Sequence, residues 1–284
     1  MSSPIRLGIS TCPNDTFAFH ALLDRRIDRR GLEFDVDLLD VQELNEGLAA
    51  GRFDVAKTSF HAALLQADRY VVLPSGSALG FGAGPLLLSR HQQEDPASWT
   101  GDRRPRVLCP GKWTTATLLY RMFRPGPVDL QQTLFSRIMP ALQAGQADFG
   151  VCIHEGRFTW QDSGLFCTAD LGRQWEDRTG LPLPLGGIVG RRELGAPILG
   201  RVQQVIRDSL EYGLANRAET IPTMARFAQE LSESVLLAHV DLYVNQQTLD
   251  LGESGAAALQ RLGQIARQSG AVGPDVPPLE ILSV

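Results

Sequence analysis

Leu48-Ala49-Ala50-Gly51-Arg52-Phe53-Asp54-Val55 and Leu142-Gln143-Ala144-Gly145-Gln146-Ala147-Asp148-Phe149 are two copies of one phrase, Leu-x-x-Gly-x-x-Asp-apolar. Gly-x-x-Asp after a helix is common punctuation between helix and strand, and one copy would carry no weight. Two copies carry more because their surroundings also match. Upstream of each stands an apolar strand ending in Cys-Pro, at Cys12-Pro13 and at Cys109-Pro110. Soon after each comes threonine at a helix start, Thr16 in one case and Thr114 with Thr115 in the other. The physical reading is two related α/β units in one chain.

The pattern extends outward from each copy. Ile5 to Ser10 reads as a buried strand, Thr11 to Thr16 as a polar turn, and Phe17 to about Leu23 as an apolar helix. Leu32, Phe34, Val36 and Leu38 alternate with other residues, which is strand periodicity. Asp40 with Glu43 predicts a capping box for a helix carrying Leu44 and Leu48. Gly51 ends that helix, and Asp54 to Lys57 begins another strand. The order β-α-β-α-β belongs to a mostly parallel sheet with helices on its faces. Around the second copy, Arg106 to Pro110 reads as a strand, Thr114 and Thr115 cap a helix to about Phe123, Ser136 to Ala144 is helical, and Asp148 to Ile153 is a strand. Leu185 to Val189 is a further strand. The last third is helical: Val202, Val205, Ile206, Leu210 and Leu214 share one helical face, and Val235, Leu236, His239, Val240 and Tyr243 another. A final helix runs from about Ser254 to Gln268, stopped near Gly270.

Ligands of open α/β sheets bind beyond the carboxyl ends of the strands, where helix N-termini also gather. Two such units facing each other make a cleft between lobes, the architecture of bacterial solute-binding proteins and their enzyme relatives. Crossings between lobes are expected near Gly84 to Arg90 and Leu185 to Arg192. Lobe one is then residues 1–88 plus 191–284 with the C-terminal helices, and lobe two is 89–190. The stretch Gly80-Phe81-Gly82-Ala83-Gly84 precedes a strand and not a helix, so it reads as a crossing loop and not as a dinucleotide fingerprint.

The chain has 284 residues and ordinary globular composition, enough to bury a sizeable core without disulfides or metals. A formal net charge of -5, with both signs spread along the chain, argues against a nucleic-acid partner. Met1 to Arg6 runs straight into Leu7-Gly8-Ile9 with no signal-peptide pattern, and no apolar run approaches the roughly 20 residues of a membrane helix. A cytoplasmic protein with no membrane partner is expected. The cysteines, Cys12, Cys109, Cys152 and Cys167, form no CxxC pair, and reduced thiols are expected. No metal-ligand spacing and no nucleophile-elbow GxSxG occur, so neither a metal nor a bound cofactor is expected. The oligomeric state is not legible.

Three clusters fall at strand ends: Thr11, Asn14, Asp15 and Thr16; Lys57, Thr58 and Ser59; and His154, Glu155 and Arg157. Thr114 and Thr115 add a fourth group at a helix start. The echo places His154 opposite Phe60, just past its strand, where a cleft residue belongs. The set suits a small polyol or carboxylate. Backbone N–H groups at the Thr114 turn can hold a carboxylate. Asn14, Asp15 and Ser59 can bond sugar hydroxyls, and His154 can carry a proton near neutral pH. The bland alternatives are a turn and N-cap at 14–16, caps at Ser59 and Thr114, and a surface ion pair at His154-Glu155. His239, on an apolar helix face, reads as a satisfied core residue, His20 and His61 as helix residues near the cleft, and His91 as solvent-exposed.

Several stretches resemble one enzyme family. Ile9-Ser10-Thr11-Cys12-Pro13-Asn14-Asp15-Thr16-Phe17, Lys57-Thr58-Ser59, Gly111-Lys112-Trp113-Thr114-Thr115-Ala116 and Ile153-His154-Glu155-Gly156-Arg157-Phe158 are similar to the 1,4-dihydroxy-6-naphthoate synthases of the futalosine route to menaquinone. So are Trp175-Glu176-Asp177-Arg178-Thr179-Gly180-Leu181-Pro182-Leu183-Pro184-Leu185-Gly186, His239-Val240 and Tyr243-Val244-Asn245. Departures are small: Thr11 stands where proline is expected and Gly156 where serine is usual. The resemblance implies a type II periplasmic-binding-protein-like α/β fold used for catalysis. It implies conversion of cyclic dehypoxanthine futalosine to 1,4-dihydroxy-6-naphthoate with release of a three-carbon sugar fragment, a carbon–carbon lyase reaction with His154 as base. The rivals are a small-anion solute-binding protein, chorismate dehydratase of the same pathway, and a transcriptional effector domain, for which no helix-turn-helix is evident.

Overall fold

A computed structural model describes residues 3–92, 95–100, 103–154, 156–228 and 232–283; Glu155, expected beside His154, lies outside the described residues. The first unit runs β1 (Ile5–Ser10), α1 (Pro13–Leu23), β2 (Phe34–Leu39), α2 (Val41–Ala49), β3 (Val55–Ser59) and α3 (Phe60–Leu64). Short strands β4 (Tyr70–Val72), β5 (Ala78–Gly80) and β6 (Leu86–Ser89) follow. The second unit runs β7 (Arg106–Cys109), α4 (Thr115–Phe123), β8 (Asp129–Gln132), α5 (Phe135–Gln143), β9 (Phe149–Cys152) and α6 (Gly156–Thr159). Then come β10 (Phe166–Asp170), α7 (Leu171–Thr179) and β11 (Leu183–Arg191). The chain ends in α8 (Ala196–Ala215), α9 (Arg217–Phe227), α10 (Glu233–Tyr243), α11 (Gln246–Leu249) and α12 (Gly252–Gln268).

The strands form two sheets. One has the order β2-β1-β3-β11-β4, with β5 also paired to β11; the other is β10-β6-β9-β7-β8. In the first, β1 is parallel to β2 and β3, and β11 runs antiparallel beside β3. In the second, β7 is parallel to β8 and β9, and β6 runs antiparallel beside β9. The echo in the sequence is therefore an echo in topology.

Its repeated residues have one local job. Gly51 and Gly145 stand just past α2 and α5 with φ of +73° and +69°, the left-handed turn that glycine adopts without a Cβ clash. The aspartate three residues on then latches the next strand. Asp54 donates its N–H to Arg6 O at 2.9 Å and accepts the Arg6 N–H on its carboxylate at 3.1 Å. Asp148 repeats both bonds with Arg106, at 3.0 and 2.7 Å.

Helix starts follow their capping chemistry. The Asp40–Glu43 capping box is present at α2, and Thr114 caps α4 by accepting from Thr117 N. The first helix departs from expectation. Thr11 to Thr16 is not all turn: α1 begins at Pro13, with Cys12 at the cap position, so Asn14, Asp15 and Thr16 form its first turn and are buried. Proline suits that place because the first N–H of a helix has no intrahelical acceptor.

The crossings also fall earlier than read from the sequence. β6 lies wholly in the second sheet and β11 wholly in the first, so the chain changes sheets at 81–85 and again at 180–182. Glycine-rich 80–84 is the first of these passages. At the second, buried Trp175 of α7 donates its indole N–H to Leu181 O at 3.0 Å and Pro182 O at 3.2 Å, which anchors the approach to β11. Of the helices of the last third, α8, α9 and α10 pack on the first unit, all meeting α1, while α12 touches β11 and α4. No helix among the described residues is long and apolar enough to cross a membrane.

Candidate active site

A cleft of about 680 Å3, counted with its open mouth, lies where strand ends of the two sheets meet. Asn14, Asp15, Lys57, Ser59, Thr114, Thr115 and His154 all line it, joined by Ser10, Cys12, His239 and Tyr243. Thr16 is not on the wall: its hydroxyl turns back to Cys12 O and Pro13 O inside α1.

The floor is a buried charge pair. Lys57 Nζ, from the middle of β3, is 2.6 Å from Asp15 Oδ1 and donates also to Gly76 O at 3.1 Å. Ser10 Oγ donates to the other carboxylate oxygen at 2.5 Å, and Asn14 Nδ2 donates to Oδ1 at 3.0 Å. Asp15 and Lys57 thus spend their charges on one another. Beside them, Ser59 Oγ accepts from Asn45 Nδ2 at 3.1 Å, which leaves its own hydrogen to donate.

The opposite wall comes from the second sheet. Thr114 Oγ1 donates to Gly111 O at 2.8 Å and caps α4, so its hydroxyl is engaged. Thr115 Oγ1 donates to Leu185 O at 2.6 Å, tying α4 to β11 across the sheets. What this helix start offers a ligand is backbone: N–H groups of the first turn lack intrahelical acceptors and sit at the positive end of the helix dipole. His61 stands behind it, its Nδ1 3.2 Å from Thr114 O, and burial pushes its pKa down to about 4. His20 is elsewhere, 2.8 Å from Thr223 Oγ1 on α9, and His91 is exposed as expected.

His154 follows β9 with a left-handed backbone, φ +54°, uncommon for a residue with a Cβ. Its half-buried ring meets the first unit: Nδ1 is 3.3 Å from Cys12 Sγ, and the Phe135 ring lies 4.9 Å away. Arg157, from the same cluster, is a clamp and not a cleft group, donating to Gly84 O at 2.7 Å and to Asp170 at 2.9 Å. Among the described residues no group of three His, Cys, Asp or Glu is placed to hold a metal ion.

Of the wall residues that the sequence reading did not assign to the cleft, Cys12 and His239 meet the groups already described. Cys12 had no assigned role, although it sits inside the quoted motif. His239 is buried as expected, but it lines the cleft instead of the core: Nε2 is 3.1 Å from Asn14 Oδ1, and its ring stacks on His154 at 6.2 Å. Burial pushes its pKa down to about 3, with further lowering from His154 and Lys57.

A profile of the family described as menaquinone biosynthesis matches residues 5–268. The chain belongs to this family. Its relatives include a Thermus thermophilus protein named 1,4-dihydroxy-6-naphthoate synthase, 41% identical over 97% of this chain and 98% of its own length. A Streptomyces coelicolor protein of the same name is 39% identical over 95% and 96%. The resemblance read from the motifs is thereby met, and membership makes the chain an enzyme of menaquinone biosynthesis. A crystal structure of an Archaeoglobus fulgidus protein superposes with a TM-score of 0.88 at 29% identity, over 95% of this chain and 98% of that one. The periplasmic aliphatic sulphonate binding protein of Escherichia coli, at 15% identity, shares the fold with a TM-score of 0.62 over 100% and 95%. The periplasmic-binding-protein-like fold expected from the sequence is the fold of the family member described here.

Proposed function

We propose that the chain converts cyclic dehypoxanthine futalosine to 1,4-dihydroxy-6-naphthoate with release of a three-carbon sugar fragment, as a carbon–carbon lyase with His154 as general base. The observation that carries this is a half-buried imidazole facing the other sheet across the cleft in a member of this family. Two lobes, one on each sheet, enclose the ligand and exclude water when they close. The α4 start takes the substrate carboxylate on its N–H groups. Ser59 and Asn14 orient the rest, while Lys57 holds Asp15 fixed beneath it.

His154 takes a proton from the sugar-derived portion. The bond joining that portion to the ring system breaks, and aromatisation of the naphthalene drives the reaction forward. An imidazole is a side chain that can both take and return a proton in general acid–base catalysis. The ligand is a small anion, and neither nucleic acid nor membrane enters the reading. No cysteine among the described residues is in a disulfide, which suits a reducing compartment, and a cytoplasmic location is part of the proposal.

The test is to incubate the parent and His154→Ala with cyclic dehypoxanthine futalosine and follow the naphthoate by chromatography. Product from the parent, with a folded, binding and inactive variant, supports both the activity and the base. An equally active variant removes His154 as base. A parent that binds without turnover favours a solute-binding role.

A further inference from the structure

His239 is a second imidazole on the cleft wall, and the proton transfer above makes no use of it. Its hydrogen bonding fixes which nitrogen carries the hydrogen. Asn14 Nδ2 donates to the Asp15 carboxylate at 3.0 Å. Turning that amide over would set its oxygen against a carboxylate oxygen, so Asn14 Oδ1 is the atom facing His239. Oδ1 accepts only, so His239 Nε2, 3.1 Å away, is the protonated nitrogen. Nδ1 is then a bare lone pair, and it has no hydrogen-bond partner in the structure. A buried acceptor left without a donor costs free energy, and native proteins seldom leave one unless something else fills it.

We propose that His239 is a substrate-binding residue whose Nδ1 accepts a hydrogen bond from a hydroxyl of the substrate's polyol portion. This rests on the lyase reading, because the His239 ring stacks on His154 at 6.2 Å with planes 14° apart. A group that close to the base meets the part of the ligand on which the base acts. Burial keeps the ring neutral, so it accepts the bond without taking the proton, and it places no second cation beside His154 when that residue is protonated. Asn14, Asp15 and Lys57 hold the ring's orientation from behind through one continuous chain of bonds.

Two conservative substitutions separate this role from a structural one. His239→Asn places an amide oxygen where Nδ1 stands, and His239→Gln places an amide nitrogen where Nε2 stands. With His239→Phe as the ring-only control, kcat and KM for cyclic dehypoxanthine futalosine are measured, together with its dissociation constant by calorimetry and thermal unfolding. The expected ranking is parent, then Asn within a few fold, with Gln and Phe binding roughly ten-fold more weakly, the loss of about one hydrogen bond. If Gln keeps affinity and Asn loses it, the residue serves only to hold Asn14 and the proposal is overturned. If all three variants bind like the parent, Nδ1 touches no ligand and the proposal is likewise overturned. A parent that binds but does not turn over breaks the lyase reading alone, since the binding series still ranks the variants. A parent that does not bind overturns both.

Discussion

Replacing Lys57 by methionine is the most informative single perturbation of stability. The pair with Asp15 is buried on both sides, with side-chain exposures of 7% and 4%, and its charges stand 2.6 Å apart. Methionine matches the length of the stem and removes the ammonium. Asp15 keeps only Ser10 and Asn14 as donors, and its charge has no counter-ion at the floor of the cleft. Removing one partner of a buried pair costs about 3–5 kcal/mol, because the stranded charge stays out of water. A chain near this size loses roughly 2–4 °C of melting temperature per kcal/mol, so the variant should melt roughly 6–20 °C lower. Urea denaturation read by circular dichroism gives the free energy directly, and Asp15→Asn combined with Lys57→Met completes a double-mutant cycle. The double variant has no stranded charge and should recover much of the loss. A single-variant cost under about 1 kcal/mol, the value of a surface pair, would refute the buried-pair reasoning. So would a double variant as unstable as the two singles combined.

Gly84→Ala should lower stability by about 1–3 kcal/mol in the same denaturation assay, because a Cβ there would sit 2.2 Å from Gly172 Cα at the passage between sheets, where backbone meets backbone. His61 predicts a pH dependence: its folded pKa, near 4, lies below the ordinary value of about 6.5, so below about pH 6.5 the unfolded chain binds a proton that the folded chain refuses. Stability should therefore fall as pH drops from about 6.5 toward 4, and His61→Gln should flatten that slope; an unchanged slope would mean that His61 titrates normally in the fold.

Much of the frame was readable along the chain. The Asp40–Glu43 box and the Thr114 cap marked α2 and α4 because capping joins residues three apart. The repeated Gly and Asp marked both strand starts. The same local rules failed at α1. A polar run after a strand reads as turn, and nothing local says that Asn14 and Asp15 find buried partners at His239 and Lys57. Strands β4, β5, β8 and β10 escaped the sequence reading because so few residues, with no repeated phrase or glycine-rich loop beside them, do not show a period. His239 was read as core because a helix face that abuts a cleft is as apolar as one that abuts a sheet.

From the sequence alone came the two repeated α/β units, the capped helix starts and, through residue identities in its motifs, the family. Those follow from interactions between near neighbours in the chain and from side-chain chemistry that can be read one position at a time. Only the tertiary structure decided that Lys57 neutralises Asp15, that Cys12 meets His154, and that His239 reaches Asn14. Those partners stand 42, 142 and 225 residues apart. No local rule names them, because their meeting depends on how two sheets and a distant helix close around one cleft.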